Sequence, residues 1–246
     1  MQILRPSRTP PVPPVAVFRF SPTEGPAYFA EWLDAHALPW RLIALDDGAP
    51  VPAESDTFAG IAMMGGPMAV YDALPWVSPL SGLLRDAVAR GVPVIGHCLG
   101  GQLLAQALGA RVERAPRPEI GWFDVDVEPS PSARAWFGGR DRFTTFQWHY
   151  DGFALPERAQ RVLTGAAHPN QAYVVDERHI GFQCHIEMTS ALVESWLESG
   201  AGELPEASGA TLQSAAAIRD GAEVHLPALH QVAAAVYTRW AQGLRR

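Results

Sequence analysis

Cysteine is scarce in this chain: 246 residues hold two, Cys98 and Cys184. Two thiols so far apart make no disulfide framework and no zinc knuckle, so a reducing, cytoplasmic setting is expected. An excess of positive charge is also missing. With 19 Lys and Arg against 26 Asp and Glu the formal net charge is -7, which argues against nucleic acid as a partner. No apolar run approaches the length that spans a bilayer, so no membrane partner is expected either. The stretch from Met1 to Pro14 has neither the apolar centre nor the small-residue cleavage site of a signal peptide. Its prolines predict an extended or disordered leader over 1–13. Beyond that leader there are no repeats and no low-complexity tracts. What is present is 48% hydrophobic residues, enough for one sizeable core, and residues 14–246 are read as a single domain.

Apolar periodicity organises the first half. Pro14–Phe20, Arg41–Leu45 and Phe58–Met64 read as strands, and Pro26–His36 as a helix with Phe29, Trp32 and Leu33 at helical spacing. A second amphipathic helix runs from Leu80 to Arg90, stopped by Gly91. Strands alternating with helices predict an α/β fold: an open, mostly parallel central sheet with helices on both faces. The middle, from Gly121 to about Tyr150, reads as strands and turns, with Trp122–Val127 alternating and Phe143–Trp148 rich in β-formers. Gln171–Val175 and Ile180–Cys184 flank a charged turn, as in a hairpin. Residues 200–209 read as a mobile connector. The closing helices end in one that puts Leu229, Val232, Ala233, Val236 and Trp240 on a single face, suited to docking on the sheet.

The stretch with most chemistry is Val92–Gln102. A short apolar run reads as a buried strand, and the residues after Cys98 read as a helix ending at Gly109, so Cys98 falls on the turn between them. Gly96, Gly100 and Gly101 supply the backbone freedom and close approach such a turn needs. This is a nucleophile-elbow layout with cysteine at the turn, and a thiol at a helix N-terminus meets free N–H groups that favour thiolate. The competing reading is a buried structural cysteine in a βα turn.

A nucleophile needs a base, an orienting acid and an oxyanion site. His185 lies just beyond a strand with Glu187 two residues on, and residues two apart on an extended segment point the same way. Glu187 can then hold one imidazole nitrogen while the other faces outward, the third-member role of a triad. A surface His-x-Glu pair is the alternative. Met63-Met64-Gly65-Gly66-Pro67 ends a strand so that a backbone N–H is free to face a ligand beside that of Leu99; an ordinary strand-to-loop turn would look the same. His97, adjacent to Cys98, points the opposite way on an extended strand and reads as packing or support. Cys184 reads as a core thiol. His149 is ambiguous, with Asp151 as a possible partner. His36, His168, His179, His225 and His230 have nothing around them to raise them above surface residues.

Taken together, Gly96-His-Cys98-Leu-Gly100-Gly-Gln102 and Gly181-Phe-Gln-Cys-His185-Ile-Glu187 resemble the two motifs of the class I, triad-type glutamine amidotransferases. Gly65–Asp72 resembles the oxyanion strand of the GMP-synthase-like branch, and the similarity runs from about residue 15 to 195. The resemblance implies a flavodoxin-like three-layer fold in which Cys98 attacks the γ-carboxamide of glutamine or a γ-glutamyl compound. It implies His185 as acid and base, Glu187 as its orienter, and the N–H groups of Gly66 and Leu99 as the oxyanion hole. It also implies Gly65, Gln102, Trp148, His149 and Tyr150 as substrate-binding residues, with no cofactor and no metal. Ile186 stands where relatives often carry proline, and His97 where they carry a small or aliphatic residue.

Nothing after residue 195 has the length or the Gly-rich phosphate loop of an ATP-using synthetase. The leading expectation is therefore a stand-alone hydrolase of glutamine or γ-glutamyl amides. A glutaminase subunit that feeds ammonia to a separate synthetase is the second, and a non-catalytic regulatory binding protein the third. A cysteine-based esterase fits the His-x-Glu adjacency poorly. The leaving-amine pocket is expected from the Tyr71–Pro79 loop with Trp76 and from Arg111–Gly121.

Overall fold

The computed structural model describes residues 12–246, so the expected leader over 1–13 lies almost wholly outside the described residues. The strands are β1 Val15–Arg19, β2 Trp40–Ala44, β3 Gly60–Met63, β4 Val94–His97, β5 Val112–Val127, β6 Arg142–Phe153, β7 Ala159–Gly165, β8 Ala172–Val175 and β9 His179–Phe182. The helices are α1 Ala27–Ala35, α2 Val77–Arg90, α3 Leu99–Ala107, α4 Pro131–Phe137, α5 Ser190–Ser199 and α6 Ala215–Ala241. Among the described residues they build one sheet in the order β2-β1-β3-β4-β9-β8-β7-β5-β6.

That order divides the sheet. From β2 to β9 every pairing is parallel, and from β9 to β6 every pairing is antiparallel. The α/β architecture is the expected one, with the parallel character confined to five strands. Alternate residues of β1 go to opposite faces: Val15 and Val17 join one apolar cluster, Ala16 and Phe18 the other. The first cluster is covered by α1, α4, α5 and α6 and the second by α2 and α3, giving three layers. The apolar stripe of α6 docks as expected, with Leu229, Val232, Ala233, Val236 and Trp240 all buried.

Three elements depart from the sequence reading. β5 is 16 residues long, and its pairing with β6 is irregular between Arg114 and Glu119, where Pro116 and Pro118 cannot donate to the ladder. α4 carries a Ser130 cap whose hydroxyl accepts from the Ala133 N–H, a signal that short length hid. The 200–209 connector opens with a 3₁₀ turn over Ala201–Glu203 that returns Glu203 to the central cleft.

Candidate active site

The elbow is built by close approach. A Cβ on Gly100 would stand 2.6 Å from the carbonyl oxygen of Met63, and one on Gly96 or Gly101 would strike the backbone of Gly100 or Phe182. These glycines let the start of α3 pass tightly between β3 and β9. The left-handed residue is Cys98 itself, at φ 49° and ψ -106°, a conformation that costs free energy in a residue with a Cβ. The strain thus sits on the sulfur-bearing residue, at the N-cap of α3 and 6% exposed. Its Sγ has Gln183 Nε2 at 3.6 Å and the Trp148 carbonyl at 4.0 Å as weak neighbours, and it lies close enough to His185 to act on that ring's charge.

β9 runs beside β4 in parallel, and the chain continues past its end through Gln183 and Cys184 to His185. The main chain of His185 is pinned to Phe146, its N–H donating to that carbonyl at 2.8 Å. The imidazole Nδ1 bonds Glu187 Oε1 at 2.6 Å, so Nδ1 carries the proton. Nε2 is buried without a protein partner. Burial pulls the His185 cation down, but the charges of Glu187 and Cys98 outweigh it and hold His185 well above its ordinary range. For Glu187 burial pushes the pKa up, yet His185 and then His97 bring it below its ordinary value. Glu187 therefore stays ionised. The structure brings Cys98, His185 and Glu187 together.

His97 lies behind this group. Fully buried, it sits among Phe29, Phe182 and Tyr237, with Nε2 4.0 Å from Glu187 Oε2. Its Nδ1 donates to the Met63 carbonyl at 3.3 Å, and Nε2 accepts from the Tyr237 hydroxyl at 3.3 Å. Burial lowers its pKa, as fits a neutral packing residue. Burial pushes the Cys184 thiol far up, which makes it inert.

At the end of β3, a Cβ on Gly66 would press on the side chain of Leu99, so these two residues are in close contact. Among the described residues neither the Gly66 nor the Leu99 N–H has an acceptor, while the next N–H, that of Gly100, is taken by Met64 O at 3.1 Å. Two donors without acceptors thus lie at the end of β3 and at the start of α3, the first in a residue that lines the same cavity as Cys98. Gly65 stands beside the His185 ring.

The opposite wall of the cleft comes from β6. Gln102, Trp148, His149 and Tyr150 all line a cavity of about 650 Å³ together with Cys98 and Gly66. Gln102 Nε2 is tied to Gln183 Oε1 at 3.2 Å, so Gln183 bridges the helix to the sulfur; sequence reasoning assigned Gln183 no role. His149 does not pair with the Asp151 carboxylate. Its Nδ1 donates to the Asp151 main-chain carbonyl at 3.0 Å, and its Nε2 faces Glu119 Oε2 at 3.2 Å, which Gln171 also contacts at 2.9 Å. The Asp151 carboxylate instead faces Arg114 at 3.9 Å. Glu119 went unread because β5 brings it opposite His149 only through antiparallel register.

Two histidines read as surface residues are buried. His168 packs its ring edge-on to His149 and bonds the Arg117 carbonyl at 2.8 Å. His179 accepts the N–H of Val94 at 3.2 Å, and burial lowers it to about 4. Glu119, His149 and His168 each bring a ligand-type atom within 4.8 Å of one another, and each is already engaged with protein partners. Of the expected leaving-amine segments, Tyr71 and Arg114 reach the cleft. Trp76 does not: it packs on Phe20 at 5.0 Å.

Residues 41–198 match the model of the class-I glutamine amidotransferases. The chain belongs to this family. The chain is similar in structure to a glutamine amidotransferase from Methylobacillus flagellatus, at a TM-score of 0.93 and 44% identity over 96% of each chain. The glutamine amidotransferase-like protein YfeJ of Salmonella typhimurium is 28% identical over 76% of this chain and 80% of its own length. The glutamine-hydrolysing GMP synthase of Aeropyrum pernix is 32% identical over 56% of this chain. That match spans only 27% of the synthase. No helix among the described residues is long and apolar enough to cross a membrane.

Proposed function

We propose that this amidotransferase hydrolyses the γ-carboxamide of glutamine or of a γ-glutamyl amide through a thioester on Cys98. The observation that carries this reading is the buried, unpartnered Nε2 of His185, oriented by the 2.6 Å bond to Glu187, next to a sulfur at the start of α3. Cys98 Sγ, its proton already held on His185 Nε2, forms the new bond to the γ-carbonyl carbon. The N–H groups of Gly66 and Leu99 receive the oxyanion. Collapse of the tetrahedral adduct breaks the C–N bond, and His185 hands the proton to the departing ammonia or amine. Water then attacks the thioester with His185 as base and Glu187 holding the imidazolium, which frees glutamate and restores the thiol. Gly65, Gln102 and the backbone around Trp148, His149 and Tyr150 hold the α-amino and α-carboxylate ends.

A stand-alone hydrolase and a glutaminase subunit share this chemistry. The likeness to a stretch of GMP synthase supports the subunit as the second reading. Purified protein is expected to release glutamate from glutamine or a γ-glutamyl amide without ATP, and Cys98→Ala to lose at least about 10³-fold of that rate. A diazo-ketone analogue of glutamine should add one mass increment at Cys98. Release that appears only with an ATP-dependent partner protein would select the subunit. No labelling of Cys98 would overturn both.

A further inference from the structure

Four carboxylate or guanidinium side chains line the cleft: Glu24, Arg114, Asp151 and Glu203. Arg114 and Asp151 face each other at 3.9 Å. Glu203 is held by the Tyr150 hydroxyl at 2.6 Å and the Trp148 indole N–H at 3.2 Å, on the wall proposed to hold the glutamyl end. Glu24 is what remains. Among the described residues no hydrogen-bond donor meets its side chain, and the positive group beside it is the His185 imidazole, which Glu187 already holds at 2.6 Å. Burial raises its pKa to about 7, His185 working against that rise and Glu187 adding to it.

The place of Glu24 is specific. A methyl group added to Gly65 would collide with the Glu24 carboxylate on one side and press on His185 Cε1 on the other. The carboxylate therefore lies at the oxyanion strand beside the imidazole, where the leaving nitrogen collects its proton. The loop that carries it is held rather than loose. The Glu24 N–H donates to Ser21 O at 3.1 Å, and the Trp196 indole donates to Thr23 O at 2.9 Å. Trp196 also stands edge-on to the His185 ring at 4.8 Å, so one side chain positions both groups. A γ-glutamyl moiety is itself a zwitterion and brings no net charge to match this carboxylate. The cavity of about 650 Å³ is in the range that holds ligands larger than free glutamine.

We propose that the leaving-group side of the cleft recognises an amine bearing a second, positively charged end, with Glu24 as the carboxylate that selects it. The substrate class is then a γ-glutamyl amide of a diamine or polyamine, and the proposal rests on the γ-glutamyl thioester reading of Cys98. Glu24 is a specificity-determining residue here. The bond broken and the path of the proton are those already given.

Three probes of matched length test it: the γ-glutamyl amides of 1,4-diaminobutane, n-pentylamine and 4-aminobutanoate, with cationic, neutral and anionic ends. The cationic probe should show kcat/KM about tenfold above the neutral one, with the anionic probe lowest. Glu24→Gln should bring the cationic-to-neutral ratio to within about twofold, and Glu24→Asp should lower it partway, which covers the case where the first variant fails to fold. Glu203→Gln should slow all three probes alike, because they share the glutamyl end. Equal kcat/KM for the three probes in the wild type, or a ratio unchanged in folded Glu24 variants, overturns the proposal while labelling of Cys98 leaves the thioester reading standing. No labelling and no hydrolysis of any probe or of glutamine overturns both.

Discussion

The two halves of the sheet hold opposite sides of one cleft and are built on different physics. In the parallel half, β3, β4 and β9 end side by side and deliver Gly66, Cys98 and His185. Each is placed by its own strand end, tightened by glycines that admit neighbouring backbone. In the antiparallel half, the cleft wall of Trp148, His149 and Tyr150 is placed by pairing β6 with the long β5. Its buried polar groups are satisfied by partners far off in sequence, such as Glu119, 30 residues from His149. The proposed reacting groups thus depend on local turns, and the wall on long-range register.

Variants can break this contrast. The largest effect is expected from Glu187→Gln, which keeps the shape of the side chain but removes the charge that stabilises the His185 cation. The rate of glutamate release should fall about 10³- to 10⁴-fold with little change in KM, measured by steady-state kinetics. Next is a pH effect at the seam between the halves. His179 opens β9 and accepts from the Val94 N–H of β4. Its folded pKa of about 4 lies below the ordinary 6.5, so the unfolded chain binds the extra proton first. The stability that follows is complete above pH 6.5 and is lost as pH falls toward 4, to the extent of about 3 kcal/mol. Denaturant melts across that range should show a slope that His179→Leu flattens.

Two smaller changes weigh the halves against each other. Gly101→Ala puts a Cβ against the Phe182 backbone, and about 2 to 3 kcal/mol of stability should go, read from urea unfolding. Glu119→Gln weakens the contact with His149 Nε2 in the antiparallel half, at about 1 to 2 kcal/mol. Here the kinetic signature should be a raised KM with the labelling rate of Cys98 at saturating reagent little changed. If Glu119→Gln lowered kcat as strongly as Glu187→Gln, the division of labour between the halves would be wrong.

Legibility followed the same division. The elbow, the glycine-ended strand β3 and the His-x-Glu pair were readable because each compresses its requirement into a few neighbouring residues: a glycine where backbone approaches, a carboxylate two residues past an imidazole. The strands of the parallel half were equally plain as short apolar runs. β7 and the first part of β5 were not, since Glu113, Arg114 and the prolines at 116 and 118 give that stretch the look of a loop. Surface assignments failed for His168 and His179 for a related reason. A histidine shows nothing of its burial until the carbonyl or N–H that satisfies it is brought near, and for His179 that group lies 85 residues away.

The sequence alone therefore determined the turn that carries Cys98 and the pairing of His185 with Glu187, because an elbow and a His-x-Glu pair are local objects whose residues must be near neighbours. Only the tertiary structure decided that Cys98 itself bears the left-handed strain, that Gln183 bridges Gln102 to the sulfur, and that Glu119 holds His149. It also decided that Glu24, on the loop after β1, stands beside His185 with no hydrogen-bond donor on its side chain. A carboxylate carries no local sign of what it will face. Its role is set by the dielectric and the neighbours that folding assembles around it.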